Sequence, residues 1–321
     1  GMTTKLILDL DTGIDDALAL AYALASPEVD LIGVTCTYGN VVVEESVRNT
    51  LAILELFGRT DVPVFAGPGH ARAKDSFEVQ EISAFIHGKN GIGEVEIPDA
   101  ARQVEETSAV DFLVESVAQY GSDLLIVPTG PSTTIAAAIE ASNVFRESAQ
   151  IVMMGGALTV PGNVTKWSEA NVHQDPEATD LMFRSLRNVT MIGLDVTLQT
   201  LLTTAETAKW SALGTTGGNF LADITNYYIG AYKTTSPHLG GCGLHDPLAV
   251  AVAINPGLVD TLGINMKVDT EGETRGRTIG DETRLNDQDK HAAVAVRVDT
   301  AGFLEEFMRR LTGLARETPV V

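Results

Sequence analysis

The sequence predicts an α/β fold: one open, mainly parallel sheet with helices on both faces, forming a single domain over residues 1–321. Three observations lead there. Short apolar runs recur along the chain, nearly every run is followed by a segment with helical spacing, and no linker rich in Pro, Gly and Ser or internal repeat divides the chain.

The elements follow in order. Leu6-Ile7-Leu8 reads as a strand and Asp15 to Ala25 as a helix. Leu31-Ile32-Gly33-Val34-Thr35 is a second strand, followed by a helix from Glu44 to Phe57, and Val64-Phe65-Ala66 is a short third strand. Asp111 to Gln119 is helical, Leu124-Leu125-Ile126-Val127 is a strand, and Ser132 to Glu140 is helical again. Ile151 to Met154 and Val189 to Ile192 are further buried strands. The stretch from Leu262 to Val298 mixes β-type residues with charge and reads as an antiparallel excursion or an edge. Gly1 ahead of Met2 reads as a scar of tag removal.

Composition narrows the function. The net charge of −21 repels phosphate backbones and argues against a nucleic-acid partner. No apolar run reaches the roughly 20 residues of a membrane span, so no membrane partner is expected. The two cysteines, Cys36 and Cys242, form neither a CxxC pair nor a Cys/His pair, which points to a reduced, cytoplasmic setting.

The chemistry concentrates after the first strand, in Asp9-Leu10-Asp11-Thr12-Gly13-Ile14-Asp15-Asp16. Asp9 and Asp11 are two apart and share a face of an extended chain. Asp15 and Asp16 open a helix, where the macrodipole favours negative charge. Like charges this close repel by several kcal/mol at intermediate dielectric, on the order of the Coulomb values at a few Å. A hard cation, Ca²⁺ or Mg²⁺, is the partner that such an oxygen-only donor set suits.

The pattern Asp9-x-Asp11-x-x-x-Asp15-Asp16 resembles the DxDxxxDD signature of the inosine–uridine nucleoside hydrolases, and further motifs recur in the family's order over most of the chain. These are Gly39-Asn40, the glycine-punctuated loop from His87 to Gly93, Pro128-Thr129-Gly130, Met153-Met154-Gly155-Gly156, Gly162-Asn163, Glu169-Ala170-Asn171 and His245-Asp246-Pro247. The resemblance implies a ribonucleoside N-glycosidase whose fold is the nucleoside hydrolase fold. It implies Ca²⁺ held by Asp11, Asp16, Asp246 and the main-chain oxygen of Thr129, so that the Thr129 side chain matters little. Asp11 then accepts a proton from the attacking water, and Asp9 orients its neighbours. Asp15, Asn40, Met154 and Asn171 hold the ribose, with Asn163 and Glu169 reaching the 5′-hydroxyl. The spacing from Met154 to Asn163 is one residue longer than the family pattern. His245 is expected to protonate or contact the leaving base, and His87 sits on a mobile loop beside it. Tyr228 and Tyr232, four apart on one face if helical, are candidates to stack on the base. Asp175-Pro176-Glu177 reads as a structural helix start. Relatives of this kind are commonly dimers or tetramers, so a homo-oligomer is expected.

Two rival readings compete. A phosphatase of the haloacid dehalogenase type also ends its first strand in Asp-x-Asp-Thr and would use Mg²⁺, but it leaves Asp15-Asp16, Glu169-Ala170-Asn171 and His245-Asp246 without a task. The other is a calcium-stabilised nucleoside-binding protein that has lost catalysis, and the intact four-aspartate motif and His245-Asp246 speak against that loss.

Overall fold

The computed structural model describes residues 3–319, so the reading of Gly1 lies outside the described residues. The predicted alternation holds. β1 (Thr4–Leu10) leads into the helix Ile14–Ala25, β2 (Val29–Cys36) into Val43–Leu56, and β3 (Val64–Ala66) into Glu81–His87 and Ala109–Tyr120. β4 (Leu124–Pro128) precedes Thr133–Ala141, β5 (Gln150–Met154) precedes Pro176–Ser185, and β6 (Asn188–Ile192) precedes Leu194–Thr197. A short antiparallel pair follows, β7 (Leu201–Leu202) with β8 (Cys242–Gly243). The remaining strands are β9 (Val259–Gly263), β10 (Met266–Val268), β11 (Thr278–Gly280) and β12 (Ala292–Val298).

One eight-stranded sheet runs β3-β2-β1-β4-β5-β6-β12-β9. Its neighbours pair in parallel except β9, which lies antiparallel on β12 at the edge. The segment 262–298 is thus only partly the expected excursion. β10 and β11 form a hairpin off the sheet, whereas β12 returns inside it, parallel to β6. Strand alternation explains why both faces are apolar. Leu6, Leu8 and Leu10 join the core on one face of β1, and Ile7 joins the core on the other.

The helix Thr300–Arg316 buries Phe303, Phe307, Leu311 and Ala315, spaced by four, as an amphipathic stripe does. Its aromatic residues cover the helix Ile14–Ala25: the Tyr22 ring lies 6.0 Å from Phe307 and 6.4 Å from Phe303. Among the described residues no helix is long and apolar enough to cross a membrane.

Strand order reverses at β1. From there β2 and β3 extend one way and β4, β5 and β6 the other. In open α/β sheets the crevice for a ligand opens beyond the carboxyl ends of the strands at this switch point. Asp9 to Asp16 and Pro128-Thr129 lie at that place.

Candidate active site

All four aspartates of the first motif are buried. Each is fixed by a neighbour from another part of the chain. Asp9 Oδ1 accepts a hydrogen bond from Thr35 Oγ1 of β2 at 2.7 Å. Asp11 Oδ2 accepts from the Asn40 main-chain N–H at 3.0 Å. Gly39 makes this approach feasible, since it has φ +151° and a Cβ there would meet Asp11 Oδ2 at 2.2 Å. Asp16 is the most engaged. Its Oδ1 accepts from Gly13 N–H and Asn40 Nδ2, and its Oδ2 accepts from Thr129 Oγ1 at 2.7 Å. Asp15 Oδ2 accepts from the Asp246 main-chain N–H at 2.9 Å, joining the first motif to the start of the helix His245–Ile254.

The Thr129 bond corrects one expectation. The Thr129 side chain does not idle, because its hydroxyl ties β4 to Asp16 across the switch point. Its main-chain oxygen accepts from Asn171 Nδ2 at 2.9 Å.

Three carboxylate oxygens, Asp9 Oδ2, Asp11 Oδ1 and Asp15 Oδ1, are buried without a hydrogen-bond partner among the described residues. Such atoms are costly unless something positive meets them. Burial, with the Asp16 charge adding to it, raises the Asp11 pKa well above the usual carboxylate range. Asp246 is raised by burial and then by the Asp15 charge, and Asp15 by burial against the opposing bond from Asp246. Asp9 is pushed up to about 7 by burial, against the Thr35 bond. Among the described residues no three His, Cys, Asp or Glu side chains are already drawn into a ligand cage, although Asp11 and Asp246 both face Asp16 closely enough to feel it. Asp16 itself is taken up by bonds from Gly13, Asn40 and Thr129. The donor set of hard oxygens with unmet negative charge still fits a divalent cation of the Ca²⁺ or Mg²⁺ kind.

A cavity of about 270 Å³ opens above these groups and is lined by Asp15, Asn40, His87, Thr129, Met154, Asn163, Glu169, Asn171, Tyr228, Tyr232, His245 and Asp246. The sequence-predicted substrate residues therefore come together. Their partners differ in kind. Asn171 Nδ2 donates to Thr129 O and also to Met154 O at 3.1 Å. Glu169 caps the helix Ala170–Gln174, with Oε1 taking Gly156 N–H and Val172 N–H and Oε2 taking Asn171 N–H. Asn163 is exposed at the rim, and its Oδ1 accepts from Ala170 N–H. Asp175 caps the helix Pro176–Ser185, as its sequence implies.

The aromatic wall comes from the helix Thr216–Thr235, which places Tyr228 and Tyr232 with ring centroids 5.0 Å apart and Tyr228 5.3 Å from the His87 ring. His245 is buried between two hydroxyls, Thr197 Oγ1 at Nδ1 and Tyr232 OH at Nε2, both at 2.7 Å. Burial pushes the His245 and His87 imidazoles down to about 4.

His87 also serves the fold. The helix Ile14–Ala25 starts after Gly13, which has no side chain to cap it. His87 Nδ1 accepts the orphan N–H of Ile14 at 3.0 Å and caps the helix from a distance of 73 residues. A Cβ on Gly13 would meet His87 Nδ1 at 2.6 Å and Asn40 Nδ2 at 2.8 Å. Gly13→Ala is therefore expected to expel both and to lower stability by about 1 kcal/mol, the usual value of a lost cap. Thermal unfolding checks this, and an unchanged melting temperature would show the cap to be dispensable.

Several supporting residues lack any local sequence signal. Ser46, Asn49 and Thr50, from the helix Val43–Leu56, bind the N–H, carbonyl and hydroxyl of Thr12 and so hold the aspartate turn. Gln80, Ile82, Ser83 and Ile86 line the cavity from the helix Glu81–His87 and its approach. Only the position of this segment before His87 marks them.

Comparison with known proteins gives the family. The family model of the inosine-uridine preferring nucleoside hydrolases matches residues 6–305. Probable uridine nucleosidase 2 of Arabidopsis thaliana is 35% identical, over 97% of this chain and 98% of its own. The pyrimidine-specific ribonucleoside hydrolase RihA of Escherichia fergusonii is 33% identical, over 97% of this chain and 99% of its own. The solved structure of a purine-preferring ribonucleoside hydrolase from Gardnerella vaginalis is 63% identical and superposes with a TM-score of 0.96, covering 98% of this chain and 99% of that one. By these matches and by its fold, the chain belongs to the inosine-uridine preferring nucleoside hydrolases, glycosidases that cleave ribonucleosides.

Proposed function

We propose that the protein hydrolyses the N-glycosidic bond of ribonucleosides with the help of Ca²⁺, and that purine ribonucleosides are its preferred substrates. The observation that carries the metal reading is the set of buried carboxylates whose oxygens Asp11 Oδ1 and Asp15 Oδ1 lack partners among the described residues. The purine preference is supported by the 63% identical, purine-preferring neighbour. The uridine and pyrimidine relatives at 35% and 33% identity support the second reading, a pyrimidine preference.

Asp11, Asp16, Asp246 and the main-chain oxygen of Thr129 would hold the cation. When bound, it supplies the positive charge these oxygens lack, together with Lewis acidity beside the ribose hydroxyls. The chain's own residues do the rest. Asp11 has one oxygen fixed by Asn40 and one free, and the free oxygen accepts the proton of the attacking water. Asp9 orients Asp11 and Asp16 from behind. Asp15, Asn40, Met154 and Asn171 hold the ribose, and Asn163 and Glu169 meet the 5′-hydroxyl. The sugar becomes oxocarbenium-like as the bond breaks, and the buried negative charge below it favours that state. Tyr228 and His87 face the base. His245, joined to Tyr232, assists its departure.

The test is ribose release from inosine, adenosine, uridine and cytidine, before and after chelation and with Ca²⁺ restored. Activity lost on chelation, recovered with Ca²⁺ and greatest on the purines is expected. 2′-Deoxynucleosides should be poor substrates, because they lack a hydroxyl that the cation and the ribose-holding side chains would meet. Unchanged turnover in excess chelator would overturn the metal assignment, and faster cleavage of uridine than inosine would overturn the base preference.

A further inference from the structure

The structure assigns a role to Thr197: its hydroxyl fixes His245 as the tautomer with hydrogen on Nε2, so that the Tyr232 hydroxyl is free to direct its own hydrogen into the cavity. This rests on the leaving-group role proposed for His245. The argument is an accounting of hydrogens. A neutral imidazole carries one hydrogen, and both ring nitrogens of His245 have a hydroxyl at 2.7 Å. Each hydroxyl can either donate or accept.

If Nδ1–H donates to Thr197, the Thr197 hydrogen needs another acceptor. Thr197 is fully buried at the end of the helix Leu194–Thr197, and its hydroxyl has no other hydrogen bond among the described residues. That tautomer strands a buried O–H away from water. If Thr197 instead donates to Nδ1, every group at the closed end is satisfied. Nε2–H then donates to the Tyr232 oxygen, and the Tyr232 hydrogen turns to the cavity side, which Tyr232 lines and where the Tyr228 hydroxyl stands beside it. Buried polar groups are rarely left unpaired, so the hydrogens align outward from Thr197 through His245 to Tyr232. Accepting from Nε2–H also makes Tyr232 a stronger donor to a departing base. Thr197 is a positioning residue: it does not line the cavity and acts only through the imidazole.

Two measurements on the Ca²⁺-loaded full chain test this. With the histidine rings labelled with ¹⁵N, the nitrogen shifts of His245, identified by their loss in His245→Gln, should show a hydrogen-free Nδ1 and a hydrogen-bearing Nε2. The opposite pattern overturns the assignment. In kinetics, Thr197→Val should lower kcat on the best ribonucleoside about 10²-fold, at the low end of what acid–base assistance contributes, with KM little changed. A p-nitrophenyl riboside, whose leaving group departs unaided, should be cleaved at nearly the wild-type rate, and Thr197→Ser should restore nucleoside cleavage. Equal losses on both substrates, unrestored by serine, would make Thr197 merely structural and overturn its role. If Tyr232→Phe and His245→Gln also slow both substrates equally, the leaving-group reading fails, while the nitrogen shifts of the wild-type protein still decide the tautomer.

Discussion

Asp11→Asn should lower kcat by about 10²–10⁴-fold, the range for a lost general base, while raising the melting temperature of the chelated protein. The two effects share one cause. The amide oxygen still accepts the Asn40 N–H, so the turn keeps its shape. What disappears is a buried negative charge facing Asp16. On the proposed mechanism the site thus holds charge that serves the chemistry at the expense of the metal-free fold, a common trade between stability and activity. Turnover and thermal unfolding measured on one preparation check it. Near-normal turnover would reject Asp11 as the base, and a lower melting temperature in chelator would show that its repulsion is already relieved.

The second large effect is the response of the chelated protein to pH. Burial raises Asp9 to about 7, and burial with neighbouring charges raises Asp11, Asp15 and Asp246 well above their usual range. The folded state therefore binds protons that the unfolded chain releases near about pH 4. Stability from these groups is full below the unfolded value and is lost as pH rises through the folded values. The melting temperature of the chelated protein should fall between about pH 5 and pH 8. Ca²⁺ at a hundredfold excess over its Kd should restore about 2.7 kcal/mol. Its gain should grow with pH, since ligands must shed their protons to bind. A melting temperature independent of pH and Ca²⁺ would contradict both the charge burden and the metal site.

Much of this was legible in the sequence because it is local. The apolar run Leu6-Ile7-Leu8 and the aspartates after it mark β1 and its functional end, and the same holds for Leu124 to Val127 with Thr129. Spacing placed Tyr228 and Tyr232 on one face, where they are found. The resemblance extended this to Asn171 and His245, and Asp15, Thr129, Asn171, Tyr228, Tyr232 and His245 line one cavity. What stayed hidden depends on distance. Nothing near His87 says that it caps a helix begun at Ile14. Thr197, Ser46, Asn49 and Thr50 are ordinary polar residues until the fold sets them against His245 and Thr12. β12 illustrates the limit for topology: it lies in a stretch that reads as an antiparallel excursion or an edge, but its parallel place beside β6 follows from the order of the whole sheet.

That placement bears on how the chain folds. β12 fills the slot between β6 and β9, and the helix after it covers the outer face of the helix that carries Asp15 and Asp16. On a ribosome, the first helix emerges nearly three hundred residues ahead of Phe303 and Phe307, which shield its Tyr22. Until they arrive, an apolar flank stays open and the sheet lacks a strand. Contacts of such long sequence separation slow folding and leave sticky intermediates in need of chaperones. Catalytic competence is thus a late event in the life of the nascent chain, although the aspartates of the first motif are among the first residues to be made.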